Sequence, residues 1–535
     1  ESQTVADVLS NTTPGFSKST EAQPDFGQTL RGRTFLTLID GVPQSTPLRD
    51  GRRSLNSIDP ASVERIEIVR GGNAAFGFGA TGGTVNIITK RPEDGEIRSF
   101  FQTGAGISTT ETGDSLQFET QVGTSGRIGA FDFVLDGTYI SRGAAFDADG
   151  LRIPADTTGA QGGTAESDTV SLLAKFGYNF DGDRQRLQFS ALYFDTAQDP
   201  EFGGLSFAGD PANDIRTPAV EGNFNPVDPG TRNVNYTLQY THEDIMGSSL
   251  NAQIYYADIT TTFGKFPGFP QTQIASEKVG ARVTVTTPLS ALGGATLVWG
   301  LAALKDETTQ IATDVEDFFP GLGQPDPVLD QTATAIFAQL EFPIGDRLNI
   351  STGVRHEIIS VDVSDFLFVD SSTTPPGITP TRGGTLEFDE TLFNLTASYD
   401  VTSDLQIYGG FSQGFTVADI GRSLTDQSFA TLQSVETEAQ RTDNFEIGMR
   451  YQGGNWDGTL GGCISDSDNG SSFDPETLAI RKQPERIKGI EATANFYATE
   501  RLRFGGTLTY LEGEVDTNDD GTFDEDLPTT RIPPL

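Results

Sequence analysis

Beyond about position 96 the chain alternates between apolar and polar residues with a period of two, segment after segment. In one segment Tyr236, Leu238 and Tyr240 alternate with polar neighbours, and the same pattern recurs from Leu348 and from Leu405 onwards. Such alternation places the apolar side chains of a strand on one face. By this criterion the chain contains about 17 long strands and the start of another near its end. The pattern predicts an all-β array.

The connections between these strands alternate between very short and long. Short connections fall at 124–126, 181–183, 247–248, 345–346, 402–403 and 453–454, and long ones near 143–167, 197–230, 312–332, 363–384, 417–436, 469–483 and 515–527. Outer-membrane barrels have short turns at the periplasmic end and long loops at the extracellular end. The asymmetry therefore predicts a transmembrane antiparallel β-barrel. A secreted calcium-binding adhesin would show a regular short repeat, which is absent.

Composition narrows the function classes. The net charge of −39 argues against nucleic acid, whose phosphates need a basic surface. One cysteine and two histidines leave no internal disulfide and little material for zinc or histidine catalysis. His242 and His356 both fall on the apolar face of their strands, which disfavours a haem site inside the barrel. The first residue is not methionine, and we expect a chain trimmed at both ends.

A glycine-rich segment within Val63–Pro92 separates the array from a smaller N-terminal part. Two short strand patterns flank six glycines in this stretch. A phosphate-binding loop would need Lys-Ser/Thr after the glycines and a helix behind them, and both are absent. The glycines are therefore interpreted as turn-forming residues. We predict a small mixed α/β domain over residues 1–93 and a barrel over residues 94–535 that is incomplete at its C-terminal end.

These motifs resemble the plug signature of TonB-dependent outer-membrane receptors. The similarity is carried in the plug by Val63–Ile68, Arg70-Gly71, Phe76-Gly77, Gly82–Pro92, Arg31-Gly32 and Ile39–Pro43. In the barrel, Gly414-Phe415, Asn444–Gly448 and Arg486–Glu491 resemble the siderophore-receptor branch. The family fold is a plug inside a 22-stranded barrel. Our strand count then implies that about five strands and the closing aromatic terminus lie outside this chain. The resemblance implies the same for the TonB-contacting box, which lies upstream of the plug in this family. Gly72 and Phe76 stand where the family usually has proline and tyrosine.

The resemblance implies active transport without catalysis or a cofactor. A ferric siderophore would bind between the plug apex and the extracellular loops, and the TonB–ExbB–ExbD complex would drive its import with the proton gradient. The chain would then lie in the outer membrane of a Gram-negative-type bacterium, in contact with lipid and lipopolysaccharide. Two alternatives stay open: a TonB-dependent receptor for another cargo (cobalamin, haem or saccharide), and a passive porin.

The same resemblance implies an ionic lock between plug and barrel. Arg31 and Arg65 are the plug arginines, and Glu446 and Glu491 lie on the polar, lumen-facing side of their strands. A charge buried between plug and wall must be paired and hydrogen-bonded. The alternative is that each side chain simply faces a hydrated lumen.

Two groups of residues are candidates for ligand binding. Arg49, Arg52 and Arg53 form the densest basic cluster, and their guanidinium groups suit the oxygens of an anionic ferric chelate. Phe76 and Phe78 lie in the other apical loop and could stack on a ligand. Salt bridges to the barrel and packing within the plug are the alternative roles.

The segment from Asp516 resembles the front of a calcium loop. Asp516, Asn518 and Asp520 supply oxygens at positions one, three and five, glycine stands at six, and Asp524 stands at nine. Position twelve is Leu527 instead of glutamate, and no helices flank the loop. The loop is predicted to be extracellular, and the alternative to Ca²⁺ binding is a solvated acidic turn.

Overall fold

The computed structural model describes most of the chain: residues 4–18, 28–46, 55–92, 95–154, 166–204, 218–223, 225–265, 270–318, 326–370, 377–417, 420–421, 424, 432, 439–473, 480–528 and 531–532. Its α-helices are α1 (Val5–Thr12) and α2 (Val315–Phe318), with short 3₁₀ helices at Pro60–Ser62 and Ser290–Leu292. Within these ranges, no helix is long and apolar enough to cross a bilayer.

The N-terminal part folds around a four-stranded sheet. Its strands are β1 (Phe35–Ile39), β2 (Val42–Pro43), β3 (Val63–Arg70) and β4 (Gly83–Thr89). The spatial order is β2-β1-β4-β3, with β1 parallel to β4 and the other pairs antiparallel. A capping box begins α1, because Thr4 and Asp7 exchange side-chain to backbone hydrogen bonds of 3.0 and 3.1 Å. The helix buries three of its apolar side chains in the core of this domain.

The rest of the chain is strand after strand. In chain order the strands are β5 (Arg98–Gly106), β6 (Gln117–Ile128), β7 (Phe131–Arg142), β8 (Ala145–Phe146), β9 (Arg152–Ile153), β10 (Ser167–Phe180), β11 (Gln185–Gln198), β12 (Phe202–Gly204), β13 (Ala219–Glu221), β14 (Gly230–Ile245), β15 (Ser248–Thr262), β16 (Thr272–Leu289), β17 (Ala295–Ala312), β18 (Leu329–Ile344), β19 (Leu348–Val363), β20 (Phe366–Asp370), β21 (Gly377–Thr381), β22 (Gly384–Asp400), β23 (Leu405–Thr416), β24 (Gln440–Gly453), β25 (Trp456–Phe473), β26 (Ile480–Thr499), β27 (Leu502–Val515) and β28 (Glu525–Asp526).

Most of these strands form one closed antiparallel barrel around the N-terminal domain. The three hairpins β8–β9, β12–β13 and β20–β21 stand outside it. Hydrogen-bonded registers join each barrel strand to the next from β5 to β28. The strand order of the barrel places β28 next to β5. Within the described ranges no residue pairs join these two strands, and every residue of β5 is exposed. The predicted fold class, a β-barrel with a small mixed plug inside, is confirmed.

The faces of the strands follow the predicted alternation. Tyr236 and Leu238 are exposed on the outside of β14, whereas Asn235 and Thr237 are buried on the inside. Exposed apolar side chains recur on the outside of most other strands, and outer-membrane barrels carry such an apolar band toward lipid. The polar inner face is therefore available to the plug and to solute.

One predicted turn was wrong. The connection expected at 124–126 lies inside β6, and the chain reverses instead at 129–130, where Gly129 has a φ of +62°. Gly123 and Gly126 permit close packing: a methyl group on Gly123 would lie 2.3 Å from the ring of Phe100, and one on Gly126 would lie 2.8 Å from the Cα of Ile97. Glycine in a strand often marks such a close approach.

Candidate functional site

Arg31 of the plug joins two carboxylates of the barrel wall. Its Nη1 lies 2.5 Å from Oε2 of Glu446, and its Nε and Nη2 donate to the carboxylate of Glu491 at 2.8 and 2.7 Å. Glu446 lies on β24 and Glu491 on β26, both facing the lumen. The geometry is bidentate toward Glu491, which is the strong arrangement for a guanidinium and a carboxylate.

The local backbone conformation places the Arg31 side chain next to Glu446 and Glu491. Arg31 has a φ of +54°, and its N–H donates to the carbonyl of Gly15 at 2.6 Å. A methyl group on Gly15 would lie 2.0 Å from Oε1 of Glu491, so only glycine lets the wall carboxylate approach this closely. Burial disfavours the charge, but the hydrogen bond with Glu491 and the surrounding negative charges outweigh it and raise the pKa of Arg31.

Arg65 is not part of this cluster, and its predicted place in the lock was wrong. Its guanidinium pairs with Glu64 at 3.0 Å and Glu67 at 2.7 Å on the same strand, and its side chain is 41% exposed. Arg70 lies beside the lock instead, with its Nε 3.5 Å from Oε2 of Glu491. Successive side chains of a strand point to opposite faces. Arg65 therefore shares a face of β3 with Glu67, whereas Arg70, five residues further on, lies on the other face.

A second ionic cluster between plug and wall was missed from the sequence. Arg33 donates to Glu485 of β26 at 2.6 Å, and Arg531, beyond β28, lies 2.7 Å from the other carboxylate oxygen. Arg531 also donates to the carbonyl of Gly32 at 3.0 Å. Arg33 is 1% exposed and Glu485 is 0% exposed. The only signal in the sequence was that Arg33 follows Arg31 by two residues.

Burial dominates the electrostatics of this second cluster. Removal from water lowers the pKa of Arg33 to about 10, against the attraction of Glu485 and with a further lowering from the positive charge of Arg531. Arg33 therefore stays charged at neutral pH. Its guanidinium is also satisfied by Ser465, through the hydroxyl at 3.1 Å and the carbonyl at 3.0 Å. Such full satisfaction is what a buried charge requires.

The predicted ligand residues have different outcomes. Arg49, Arg52 and Arg53 lie outside the described residues. Phe76 packs under the guanidinium of Arg282 on β16, 4.1 Å from its ring centroid, and Phe78 packs on Phe415 of β23 with ring centroids 5.7 Å apart. Arg282 and Arg355 of the wall both donate to the carbonyl of Ala75 between them. Both phenylalanines thus hold the glycine loop to the wall, and a ligand contact stays a prediction.

The acidic loop between β27 and β28 turns around Asp516. Its carboxylate accepts the N–H groups of Asn518, Asp520 and Gly521 at 3.3, 3.2 and 2.7 Å. Asp524 accepts instead from Thr517, at 2.9 Å from its N–H and 2.8 Å from its hydroxyl. Within the described residues, no group of three or more His, Cys, Asp or Glu side chains is placed to hold a metal ion. Calcium binding here stays a prediction.

Cys463 lies next to the lock. It pairs with Glu446 across β24 and β25, on the lumen-facing side of β25. Its thiol is free and partly buried, and it lines the same gap as Arg31 and Arg70.

Comparison with known proteins agrees with this architecture. Residues 1–84 match the family model "TonB-dependent Receptor Plug Domain", and residues 171–535 match "TonB dependent receptor-like, beta-barrel". The rhizobactin receptor of Rhizobium meliloti (strain 1021) is 30% identical over 92% of this chain and 71% of its own length. The ferric aerobactin receptor of Klebsiella pneumoniae is 26% identical with the same coverage. The solved structure of the copper transporter OprC, 16% identical, superposes with a TM-score of 0.76 over 100% of this chain and 79% of its own.

Proposed function

Because the chain belongs to the TonB-dependent receptors, we propose that it imports a ferric siderophore across the outer membrane. The observation that carries the proposal is a plug held inside the barrel by a bidentate lock, in a chain whose relatives over most of its length are receptors for rhizobactin and ferric aerobactin. An ion-paired plug blocks passive flow, which argues against a porin. Its ion pairs are also reversible, which suits a transporter that must open.

The proposed cycle needs no catalysis. The iron chelate binds above the plug, where Arg49, Arg52 and Arg53 are the proposed cationic contacts and Phe76 and Phe78 the proposed aromatic ones. The TonB–ExbB–ExbD complex then pulls on the plug with energy from the proton gradient. The lock pairs of Arg31 are exchanged for water or for ligand contacts as the plug moves. The setting is the outer membrane of a Gram-negative-type bacterium, with lipid and lipopolysaccharide around the apolar face.

Growth on defined iron sources tests this function. A strain lacking its own siderophore receptors and expressing this protein should grow with ferric rhizobactin or ferric aerobactin as the iron source, and short-term uptake of the iron chelate should stop when the proton gradient is collapsed. Haem and cobalamin uptake serve as the matched alternatives. Growth or uptake with haem or cobalamin alone would replace the siderophore assignment, and uptake that survives loss of the gradient would indicate a porin.

A further inference from the structure

One side of the plug is tightly fixed to the wall. Val134, Leu173 and Leu192 of β7, β10 and β11 pack into the apolar core of the plug. Beside them the ammonium group of Lys175, 2% exposed, lies 3.0 Å from Asp40 and 3.1 Å from the carbonyl of Thr89. This side combines dry packing with a buried, paired charge, so separating it from the wall would expose both.

The opposite side of the plug borders a polar gap. The gap has a volume of about 460 Å³ and lies between the edge strand β3 and the inner faces of β18 to β25. Amide and hydroxyl groups predominate on its wall, among them Gln339, Ser351, Asn394, Thr396, Ser398 and Gln406. On the plug side, Val69 is 40% exposed although it belongs to a sheet inside a barrel. Open space separates β3 from the wall here, and the ion pairs of Arg31 and Arg33 at the border of the gap join plug and wall.

A line of close contacts between the glycine-rich loop of the plug and β23, here called the glycine seam, borders this gap. The N–H of Gly72 donates to the hydroxyl of Ser412 at 3.0 Å, and the N–H of Gly79 donates to the carbonyl of Phe415 at 2.9 Å. A methyl group on Gly72 would lie 1.7 Å from the carbonyl oxygen of Gln413, and one on Gly414 would lie 2.4 Å from the carbonyl oxygen of Ala80. Glycines on both sides thus allow backbone to meet backbone.

The seam coincides with a split in the barrel wall. The register of β22 with β23 runs only from Asp400–Gln406 to Asn394–Ser412, although both strands continue further. Beyond Ser412, β23 is not paired with β22 in the described ranges. The plug instead pairs with this part of β23 through a parallel bridge between Phe78 and Phe415. A few hydrogen bonds to a strand edge are cheaper to break than buried packing, since each contributes about 0.5–1.5 kcal/mol.

The gap offers cations for an oxygen-rich ligand. Arg450 of β24 lines it, is exposed, and has no ion-pair partner among the described residues. Arg70 lines it too, with its Nε 3.5 Å from Oε2 of Glu491. Guanidinium groups with unused donors suit carboxylate, hydroxamate or catecholate oxygens.

We propose that the polar gap beside β3 is the transit site through which the ferric chelate passes, and that the glycine seam on β23 is its gate. The inference rests on the proposed function for the identity of the solute, but the position of the gate follows from the contacts alone. Opening begins where Gly72 and Gly79 leave β23, while the apolar side near Leu173 keeps the plug in the barrel.

Two matched disulfides test the position of the gate. In a C463S background, G71C/S412C crosses the seam, because a Cβ on Gly71 lies 3.6 Å from that of Ser412 and disulfides need about 3.5–4.5 Å. S62C/S171C crosses the fixed side, where the two hydroxyl oxygens are 3.3 Å apart. The full chain is placed in liposomes holding a small polar dye, and leakage is followed at urea concentrations below unfolding.

We expect the oxidised seam disulfide to slow dye leakage about tenfold relative to its reduced form, because a covalent link suppresses local opening. The fixed-side disulfide should change leakage less than about twofold. Equal slowing by both, or slowing only by the fixed-side link, overturns the proposal. Cellular uptake of ⁵⁵Fe-aerobactin is measured in parallel. If the C463S parent takes up none, the siderophore assignment fails, whereas the dye assay still decides the gate.

A second pair of variants avoids strain at Gly71. T396W fills the gap from the lumen-facing side of β22, whereas L395W changes the neighbouring, outward side chain, which is 51% exposed. T396W should slow urea-induced leakage and iron uptake without lowering surface binding of ferric aerobactin, and L395W should match the parent. Unchanged leakage in T396W overturns the transit site.

Discussion

At the residue scale, Arg31 pairs with two wall carboxylates through one guanidinium, so its single positive charge offsets one of the two negative charges. It is the contact that makes both Glu446 and Glu491 tolerable between plug and wall. Arg70 lies farther from Glu491, at 3.5 Å, and cannot replace the bidentate pair. Removing Arg31 would leave two neighbouring negative charges that are mostly shielded from water, and breaking one partner of such a buried pair is costly.

We expect R31Q to loosen the plug markedly. The change should lower the free energy of plug release in urea by about 3–5 kcal/mol, as for other buried ion pairs that lose one partner. R65Q is the matched control, because Arg65 is exposed and pairs within its own strand, where an ion pair contributes about 0–1 kcal/mol. Proteolysis of the released plug at rising urea measures both. Similar losses in the two variants would contradict a lock centred on Arg31.

The sequence predicted part of this site for physical reasons. Strand parity placed Glu446 and Glu491 toward the lumen, and the family resemblance implied their pairing with plug arginines. The assignment of Arg65 to the lock was wrong because Arg65 and Arg70 lie on opposite faces of β3, and the face of Arg70 is the one beside Glu491. The cluster of Arg33 with Glu485 and Arg531 was missed because its members come from distant parts of the chain, and only the docked plug brings them together.

At the element scale, the loop from β27 to β28 already has the backbone turn that a cation loop needs. The N–H groups of residues 518, 520 and 521 converge on Asp516. The oxygens of Asn518, Asp520 and Asp524 accept further hydrogen bonds within the same loop. Hard cations such as Ca²⁺ prefer oxygen ligands of this kind. The missing glutamate at position twelve predicts weak affinity, in the range of extracellular modules.

We therefore expect millimolar Ca²⁺ to protect this loop from proteolysis and EGTA to reverse the effect, because a bound cation stabilises the folded loop by mass action. D520N should abolish the protection. D519N is the control, since Asp519 stands at the fourth position of the loop, which supplies no ligand in such motifs. If Ca²⁺ does not change the rate of cleavage, the loop is an acidic turn.

Strand existence was predictable here, whereas strand ends and small hairpins were not. Alternation over many residues identifies an element strongly, so the long strands were found. Residues 124–126 were taken for a turn, although Gly126 makes room for Ile97 inside a strand. The hairpins β8–β9, β12–β13 and β20–β21 are too short for any period to show.

At the scale of the whole molecule, the net charge of −39 bears on how ligand arrives. An acidic surface repels an anionic chelate over about one Debye length, which is about 30 Å at 0.01 M salt and about 8 Å at 0.15 M. Capture must therefore depend on short-range contacts once the chelate is close. The charge controls the rate of encounter more than the strength of the bound state.

We expect the association rate of ferric aerobactin to rise several-fold as salt is raised from about 0.01 to about 0.15 M, because screening weakens the repulsion. A neutral ferric hydroxamate of similar size is the control and should show little change. Stopped-flow fluorescence on the purified receptor measures both. A rate that falls with salt would instead indicate that a cationic patch above the plug dominates the approach.

The barrel class was predictable from local patterns, but the way the plug sits in it was not. Alternation and loop asymmetry are properties of neighbouring residues. The seam of Gly72 on β23 and the packing of Leu173 against the plug join segments that are far apart in the chain, and no local pattern encodes them.

The position of the single cysteine has a practical consequence. Cys463 pairs with Glu446 across two strands and faces the lumen beside Arg31. A spin label or fluorophore attached to this thiol would report on the lock without any substitution. The chain thus has one native labelling site beside the lock. The label would report an early change if plug and wall separate first at the lock, and a later change if they separate first at the seam.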